Sequence, residues 1–277
     1  MMQKTLKPTR QYTDYILGID DITKTFDGVT ALNEVSFRIR KGSIKALIGP
    51  NGAGKTTLLN VISGLLRPTS GYVEFKDQDI TKLKIEKISL LGIARTFQLL
   101  RLFTVNDATV LDNVMMGAYR RLKPGIYKAL FARFQMIKLE KTLLETALEL
   151  LDFVGLEGMA TFSPSALSFG NQRMLELARS LMTEPEVLLL DEPASGLNEA
   201  EVEGLIELLS SLRERGITIL LVEHNMKMVM DIADDIVVLN FGQKIAEGNP
   251  AEITSKPEVI NAYLGEEHFE GRIKDYA

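Results

Sequence analysis

One segment of the chain reads Gly49-Pro50-Asn51-Gly52-Ala53-Gly54-Lys55-Thr56-Thr57 and fits the pattern GxxxxGK[ST]. It follows an apolar run, Ile44 to Ile48, that predicts a buried strand, and it leads into a predicted helix from Lys55 to about Ser63. Glycines let the backbone approach a polyphosphate, and N–H groups at the start of a helix then bind the β-phosphate. We therefore expect Lys55 to reach the β- and γ-phosphates and the Thr56 hydroxyl to ligate Mg²⁺. The alternative is a glycine-rich turn that binds nothing.

The composition is that of an ordinary globular protein, since 45% of the 277 residues are hydrophobic and 25% are charged. This length predicts one large domain or a core with a subdomain. The net charge of −5 gives a duplex nucleic acid no basic surface to bind, so we expect no nucleic acid partner. The absence of cysteine excludes disulfides and thiolate metal sites.

The sequence also bears on membrane contact. Residues 1–11 are polar and basic, so we expect no signal peptide here. No apolar run approaches the roughly 20 residues that a membrane span needs. Any connection to a membrane is therefore expected to go through a partner.

Three strands are predicted around the glycine-rich segment, over Tyr15 to Phe26, Val35 to Arg40 and Gly71 to Phe75. Phe26, at the end of the first, is a candidate to stack on an adenine ring. The alternative is a phenylalanine in the core or at a sheet edge.

The pattern changes to helices from about Leu99 to Leu167, which predicts an inserted helical subdomain. One of these helices is expected to bury a single face. Its predicted members are Leu144, Ala147, Leu148, Leu151 and Val154.

A second apolar strand, from Val187, ends in the two carboxylates Asp191 and Glu192. Ligands of parallel sheets bind at the carboxyl ends of the strands. We expect Asp191 to hold Mg²⁺, directly or through water, and Glu192 to act as general base on the attacking water. Alternatively, the acids merely end the strand.

Two more polar side chains are predicted to lie at strand ends. His224, after the strand Ile217 to Val222, is a candidate to hydrogen-bond the γ-phosphate, although histidines at such positions often cap a helix or lie in the core. Gln98, after Gly92 to Phe97, is a candidate to contact both the metal and the water and to sense the γ-phosphate.

Ser168 and Gly170 begin a predicted helix and present N–H groups to an anion. Because the glycine-rich loop already serves its own phosphates, one interpretation is that this helix completes the γ-phosphate site of another subunit. The other is that Ser168 is only an N-cap.

Together these motifs resemble the ATP-binding subunits of ABC transporters over about Tyr15 to Gly265. The motifs follow the family's order: the aromatic Phe26, Walker A from Gly49 to Thr57, the Q-loop Gln98, the signature from Leu167 to Gln172, Walker B from Val187 to Glu192, the D-loop from Ser195 to Asn198, and the switch His224.

The resemblance implies an α/β fold, in which a P-loop NTPase (RecA-like) core with an antiparallel β subdomain covers residues 15–98 and 170–247. An inserted α-helical subdomain would cover 99–169, and a C-terminal helix and tail would cover 248–277. It also implies ATP and Mg²⁺ as cofactors, ATP hydrolysis, and two ATP molecules held between head-to-tail protomers.

Finer features are similar to the ATPase subunits of branched-chain amino acid importers. They are the segments Ala94 to Gln98, Ala194 to Asn198, Val222 to Lys227 and Asn261 to Gly265. This resemblance implies transmembrane permease subunits, a dimer with a paralogous ATPase subunit or with itself, an indirect link to a solute-binding protein, and a peripheral place on the cytoplasmic face of the plasma membrane. We expect the segment from Leu99 to Phe103 and the neighbouring helical subdomain to dock a cytoplasmic helix of a permease subunit.

Three residues depart from the usual family pattern: Phe169 and Asn171 in the signature, and Asn198 in the D-loop. Phe169 and Asn198 are similar to this subfamily, and Asn198 is also a good N-cap. Related subunits serve urea, amides or other polar solutes, and lipid exporters share part of the pattern.

Other classes of ATP-binding protein fit this sequence less well. Soluble ABC ATPases of translation carry two tandem cassettes, and those of DNA repair insert long coiled coils, and this sequence has neither. A small-molecule kinase would leave the signature and His224 without a role. A catalytically inactive module that binds ATP stays open.

Overall fold

The computed structural model describes residues 14–96, 102–104, 107–120 and 133–263. Within them, the strands are β1 (Tyr15–Phe26), β2 (Val29–Arg40), β3 (Ile44–Ile48), β4 (Ser70–Phe75), β5 (Gln78–Asp79), β6 (Ile93–Arg95), β7 (Val187–Asp191), β8 (Thr218–Val222), β9 (Asp235–Asn240) and β10 (Gln243–Gly248). The α-helices are α1 (Lys55–Ile62), α2 (Ile85–Leu91), α3 (Val110–Met116), α4 (Arg133–Phe153), α5 (Phe169–Leu181), α6 (Glu199–Glu214), α7 (Met226–Ile232), α8 (Pro250–Thr254) and α9 (Pro257–Tyr263).

These strands form two sheets. The first is antiparallel, with the order β2-β1-β4-β5. The second has the order β10-β9-β3-β8-β7-β6, and all its neighbouring strands are parallel except the hairpin of β9 and β10. The predicted α/β architecture with an antiparallel β portion is confirmed.

The parallel sheet is buried on both faces because side chains alternate along each strand. On β7, Leu188 and Leu190 pack with helices α5 and α6, whereas Leu189 packs with the antiparallel sheet and helix α1. Every residue of β3, β7 and β8 is buried. This double burial explains why the three strands read as continuous apolar runs.

One hydrophobic cluster extends from the parallel sheet through α5 into α3 and α4. It joins Leu188 on β7, Leu175 on α5, Val110 on α3 and Leu143 on α4. The helical segment therefore shares this cluster with the sheet, and its boundaries as a separate subdomain stay a prediction.

The prediction for the buried face of α4 was partly wrong. Ala147, Leu151 and Val154 are buried as expected, but Leu144 and Leu148 are 39% and 44% exposed. Leu143, which the prediction left out, is fully buried in their place. Positions 143, 147, 151 and 154 have the same three- and four-residue spacing, so the spacing alone does not distinguish this register from the neighbouring one.

Candidate functional site

The carboxyl ends of three adjacent parallel strands bring the candidate residues together. Strand β3 leads into Gly49, β7 ends at Asp191 and is followed by Glu192, and β8 is followed by Glu223 and His224. Gln98 lies outside the described residues, and its role stays a prediction.

The loop from Gly49 to Gly54 joins β3 to α1 and surrounds the side chain of Lys55. Lys55 is the first residue of α1, is 7% exposed, and donates from Nζ to the carbonyl oxygens of Gly49 (2.6 Å) and Pro50 (3.0 Å). Gly54 has a φ of 101°, and a Cβ atom there would lie 2.7 Å from the carbonyl oxygen of Ala31, so the turn requires glycine.

The remaining candidate residues of the phosphate loop and the first turn of α1 differ in exposure. Asn51 and Gly52 are exposed, Ala53 is buried, and Pro50 is partly buried. The side chain of Thr56 is exposed and that of Thr57 is partly buried in the first turn of α1. The Thr56 hydroxyl therefore lies within reach of solvent beside the loop, which suits a metal ligand.

Asp191 is 2% exposed, and it pairs with an arginine that the sequence analysis did not single out. Nη2 of Arg95 lies 2.9 Å from Oδ2 of Asp191. Burial raises the pKa of the Asp191 carboxyl above its ordinary value, while the hydrogen bond and charge of Arg95 act in the opposite direction. Oδ1 is buried without a hydrogen-bond partner among the described residues, and such an oxygen suits Mg²⁺ or water that coordinates it.

Glu192 and His224 lie side by side. The Glu192 N–H donates to the carbonyl of Val222 (2.9 Å), which extends the pairing of β7 and β8 by one residue. Nδ1 of His224 is 3.9 Å from Oε1 of Glu192, which is longer than a hydrogen bond. The His224 side chain is 63% exposed and that of Glu192 is 19% exposed, so both can reach a ligand.

A second carboxylate, Glu223, lies beneath this pair and was also not singled out from the sequence. Its side chain is fully buried. Oε1 accepts from the Ala194 N–H (2.7 Å), and Oε2 accepts from the N–H groups of His224 (3.0 Å) and Asn225 (3.2 Å). Glu223 follows an apolar strand just as Asp191 ends one, so the same strand-end rule identifies it.

Ser168 and Gly170 lie at the start of α5. Ser168 caps this helix by accepting from the Asn171 N–H (3.2 Å), which is one of the two predicted roles. A Cβ atom on Gly170 would lie 2.5 Å from Oε1 of Glu201 on α6, so the start of α5 packs closely against the start of α6. The role of this helix in another subunit's site stays a prediction.

Gly196 makes room for the side chain of Phe169, a signature residue that departs from the usual family pattern. Phe169 is 46% exposed, and a Cβ atom on Gly196 would lie 2.8 Å from its Cε1 atom. Asn198 caps α6 and forms a reciprocal capping box with Glu201, as its residue type predicts. The segments 168–170 and 196–201 therefore pack as one unit.

Phe26 is the last residue of β1 and is 40% exposed, so it is not a core residue. Nζ of Lys24 lies 4.8 Å from the centre of its ring. An exposed aromatic ring with a neighbouring cation is compatible with stacking on a purine.

Comparisons with known proteins agree with this geometry. The family model described as ABC transporter matches residues 32–195, and the one described as branched-chain amino acid ATP-binding cassette transporter matches residues 243–268. The chain is 41% identical to the high-affinity branched-chain amino acid transport ATP-binding protein LivG of Escherichia coli (strain K12), over 91% of this chain and 98% of that protein. It has the same identity and coverage with BraF of Pseudomonas aeruginosa, which carries the same description.

Solved structures show the same fold. A nucleotide-free ATP-binding cassette from an ABC transporter has a TM-score of 0.79 and 32% identity, covering 91% of this chain and all of that one. A dimeric cassette bound to ADP and Pi has a TM-score of 0.72 and 26% identity, covering 85% and 99%. Among the residues described in the present chain, every helix is too short or too polar to cross a membrane.

Proposed function

Because this chain belongs to the ABC transporter family of ATP-binding cassettes, we propose that it hydrolyses ATP to power the import of branched-chain amino acids. The observation that supports hydrolysis most strongly is the meeting of the Lys55 loop, Asp191, Glu192 and His224 at one edge of one parallel sheet. The proposed substrate, branched-chain amino acids, rests on the similarity to LivG and BraF and on the family match over residues 243–268.

Different residues of this chain bind the phosphates and the metal ion. Backbone N–H groups at the start of α1 and the Lys55 ammonium bind the phosphates, which requires Lys55 to exchange its two loop carbonyls for phosphate oxygens. Thr56, Asp191 and Gln98 would hold Mg²⁺, which would supply positive charge to the phosphate oxygens during hydrolysis.

Glu192 acts on water as a general base, and His224 hydrogen-bonds the γ-phosphate. The 3.9 Å between Nδ1 of His224 and Oε1 of Glu192 exceeds a hydrogen bond, and the Glu192 side chain is 19% exposed, so water can approach this carboxylate. Phe26 stacks on the adenine.

The working unit is a head-to-tail dimer with itself or with a paralogous subunit, in which Ser168 and Gly170 reach the partner's γ-phosphate. The dimeric cassettes among the solved structures support dimerisation. The dimer binds permease subunits on the cytoplasmic face of the plasma membrane and works indirectly with a solute-binding protein.

A groove of about 430 Å³ is the proposed docking place for a permease helix. It lies between α2, α3, α5 and β6, and Phe103 and Met116, each 46% exposed, are among its lining residues. Asn113 fixes the Phe103 backbone, because its amide accepts from the Phe103 N–H (2.7 Å) and donates to the Phe103 carbonyl (2.9 Å). Arg95 also lines the groove, so one residue contacts both the groove and Asp191.

Uptake of labelled leucine, isoleucine and valine tests this function in source cells that carry Lys55→Ala. We expect loss of amino acid uptake with unchanged uptake of an unrelated sugar. The matched control is Lys76→Ala, which removes an exposed lysine that pairs with Glu186 at the surface. Unchanged amino acid uptake, with the variant protein present, would contradict the substrate and favour urea, amides or an exported lipid.

A further inference from the structure

We propose that Glu223 is a positioning residue that fixes the general base Glu192 and the switch residue His224 in the relative position that hydrolysis needs. This inference rests on the proposed function and deepens it. It starts from a fully buried carboxylate whose two oxygens bond to two different loops.

The first loop follows β7 and carries Glu192. Oε1 of Glu223 accepts from the Ala194 N–H, two residues beyond Glu192. Within this loop the Ser195 N–H donates to the Glu192 carbonyl (3.2 Å) and the Leu197 N–H donates to the Ala194 carbonyl (3.1 Å). The bond from Glu223 therefore fixes a turn that extends from the base into the D-loop.

The second loop follows β8 and carries His224. Oε2 of Glu223 accepts from the His224 and Asn225 N–H groups, and Asn225 in turn caps α7 by accepting from the Met228 N–H (3.1 Å). The imidazole itself is 63% exposed, so its position depends on its backbone rather than on side-chain packing. Glu223 is thus a bridge between the two loops whose side chains flank the reacting phosphate.

Only a carboxylate of this length satisfies both sides. Each side presents N–H donors, and a carboxylate has only acceptors, whereas glutamine has one acceptor and one donor group. In Glu223→Gln, the amide NH₂ must face the Ala194 N–H or the N–H groups of His224 and Asn225. One loop is then released whichever way the amide is oriented, although the shape and volume of the side chain are kept.

The test combines kinetics with local hydrogen exchange on the purified protein. We expect Glu223→Gln to lower kcat about tenfold to a hundredfold, since a buried donor loses its partner near the reacting groups. The Kd for ATP should change by a smaller factor than kcat, because the Lys55 loop, which binds the phosphates, makes none of these bonds. Amide exchange should rise in residues 192–198, in 222–228, or in both, but not in α1.

The matched control is Glu247→Gln on β10, a carboxylate bonded to Lys45 and Lys244 near the other edge of the sheet. It should lower the melting temperature without lowering kcat. Glu223→Asp serves as a second variant, because it keeps the charge but is one methylene too short to reach both loops. It too should lower kcat, and thermal melting establishes that each variant is folded.

A folded Glu223→Gln with parental kcat and parental exchange in both loops would overturn the proposal, as would a fall in kcat that Glu247→Gln matches. Parental protein that binds ATP and Mg²⁺ but does not hydrolyse ATP would instead contradict the proposed function itself, and this inference with it.

Discussion

The guanidinium of Arg95 contacts the carboxylate of Asp191 at 2.9 Å, and both side chains are almost fully buried. The same guanidinium donates to Oδ1 of Asn60 (2.7 Å) and to Oγ of Ser63 (3.0 Å) at the end of α1. Strand β6, which precedes Gln98, is thereby attached both to the proposed Mg²⁺ ligand and to the helix that follows the phosphate loop.

Arg95→Ala is expected to lower the free energy of unfolding by about 3 kcal/mol, because it leaves the buried charge of Asp191 without its partner. Asp191→Asn in the same protein should restore part of this loss, since it removes the uncompensated charge. Urea unfolding of the two single variants and the double variant measures the coupling between the two residues.

The control for this prediction is Arg213→Ala. Arg213 pairs with Asp234 at 3.2 Å, but these side chains are 33% and 42% exposed, so the loss should stay below about 1 kcal/mol. Equal losses for Arg95→Ala and Arg213→Ala would show that burial does not strengthen the Arg95 pair.

Gly196→Ala is expected to displace Phe169 and to destabilise the protein by at least about 1 kcal/mol, because φ is 81° at Gly196 and the new Cβ atom would lie 2.8 Å from Phe169 Cε1. ATP turnover should fall too, because the signature and D-loop segments pack as one unit. Thermal melting and steady-state turnover measure the two effects.

The chain offers a matched glycine for comparison. Gly204 lies inside α6, and a Cβ atom there would have no atom within 4 Å beyond its chain neighbours and the backbone of its own helix. Gly204→Ala should therefore stabilise the protein by about 0.5–1 kcal/mol through its better helix propensity. If both substitutions changed the stability equally, the close contact between Phe169 and Gly196 would not explain the effect of Gly196→Ala.

Phe103→Asp is expected to abolish coupled amino acid transport while the isolated protein keeps its basal ATP turnover, because the charge disfavours an apolar permease helix in the groove. This variant tests the predicted docking segment better than a charge at Leu102, which packs against the hydrophobic core. Leu148→Asp, at a leucine of similar exposure (44%) on α4, should leave transport intact. Normal transport by Phe103→Asp would refute the docking place.

The corrected face of α4 gives a test of stability alone. Leu143→Ala should cost about 2–5 kcal/mol because Leu143 is fully buried, whereas Leu144→Ala should cost less than about 0.5 kcal/mol at 39% exposure. Denaturant unfolding of both variants measures the difference. The reverse order would restore the register predicted from the sequence.

Strands β3, β7 and β8 were predictable from the sequence, because burial on both faces makes most of their positions apolar; Lys45, Asp191 and Thr218 are the polar residues in them. Strand β10 was missed, since this edge strand is mostly polar and only Ala246 is buried. Helix α8 was missed because five residues carry no helical period, although its cap at Asn249 with Glu252 was a readable signal. The first residues of β2 are exposed and are defined by pairing with β1, which is a contact between segments rather than a local pattern.

At the site, the strand-end rule placed Asp191, Glu192 and His224 together and applies equally to Glu223, but it did not reveal the roles of Arg95 and Glu223. Both of these act through atoms of other segments: Arg95 through Asp191 and α1, and Glu223 through backbone N–H groups of two loops. A side chain that bonds to distant backbone has no signature in sequence spacing. Its role becomes visible only with the fold.

The proposed role of Glu192 is to activate water for ATP hydrolysis, and Glu192→Gln isolates this role because glutamine keeps the shape but loses the basicity. Turnover of Mg²⁺-ATP and nucleotide binding are measured on parental and variant protein. We predict that the variant binds ATP and forms the dimer but shows no turnover above background. Hydrolysis by Glu192→Gln at the parental rate would contradict the account.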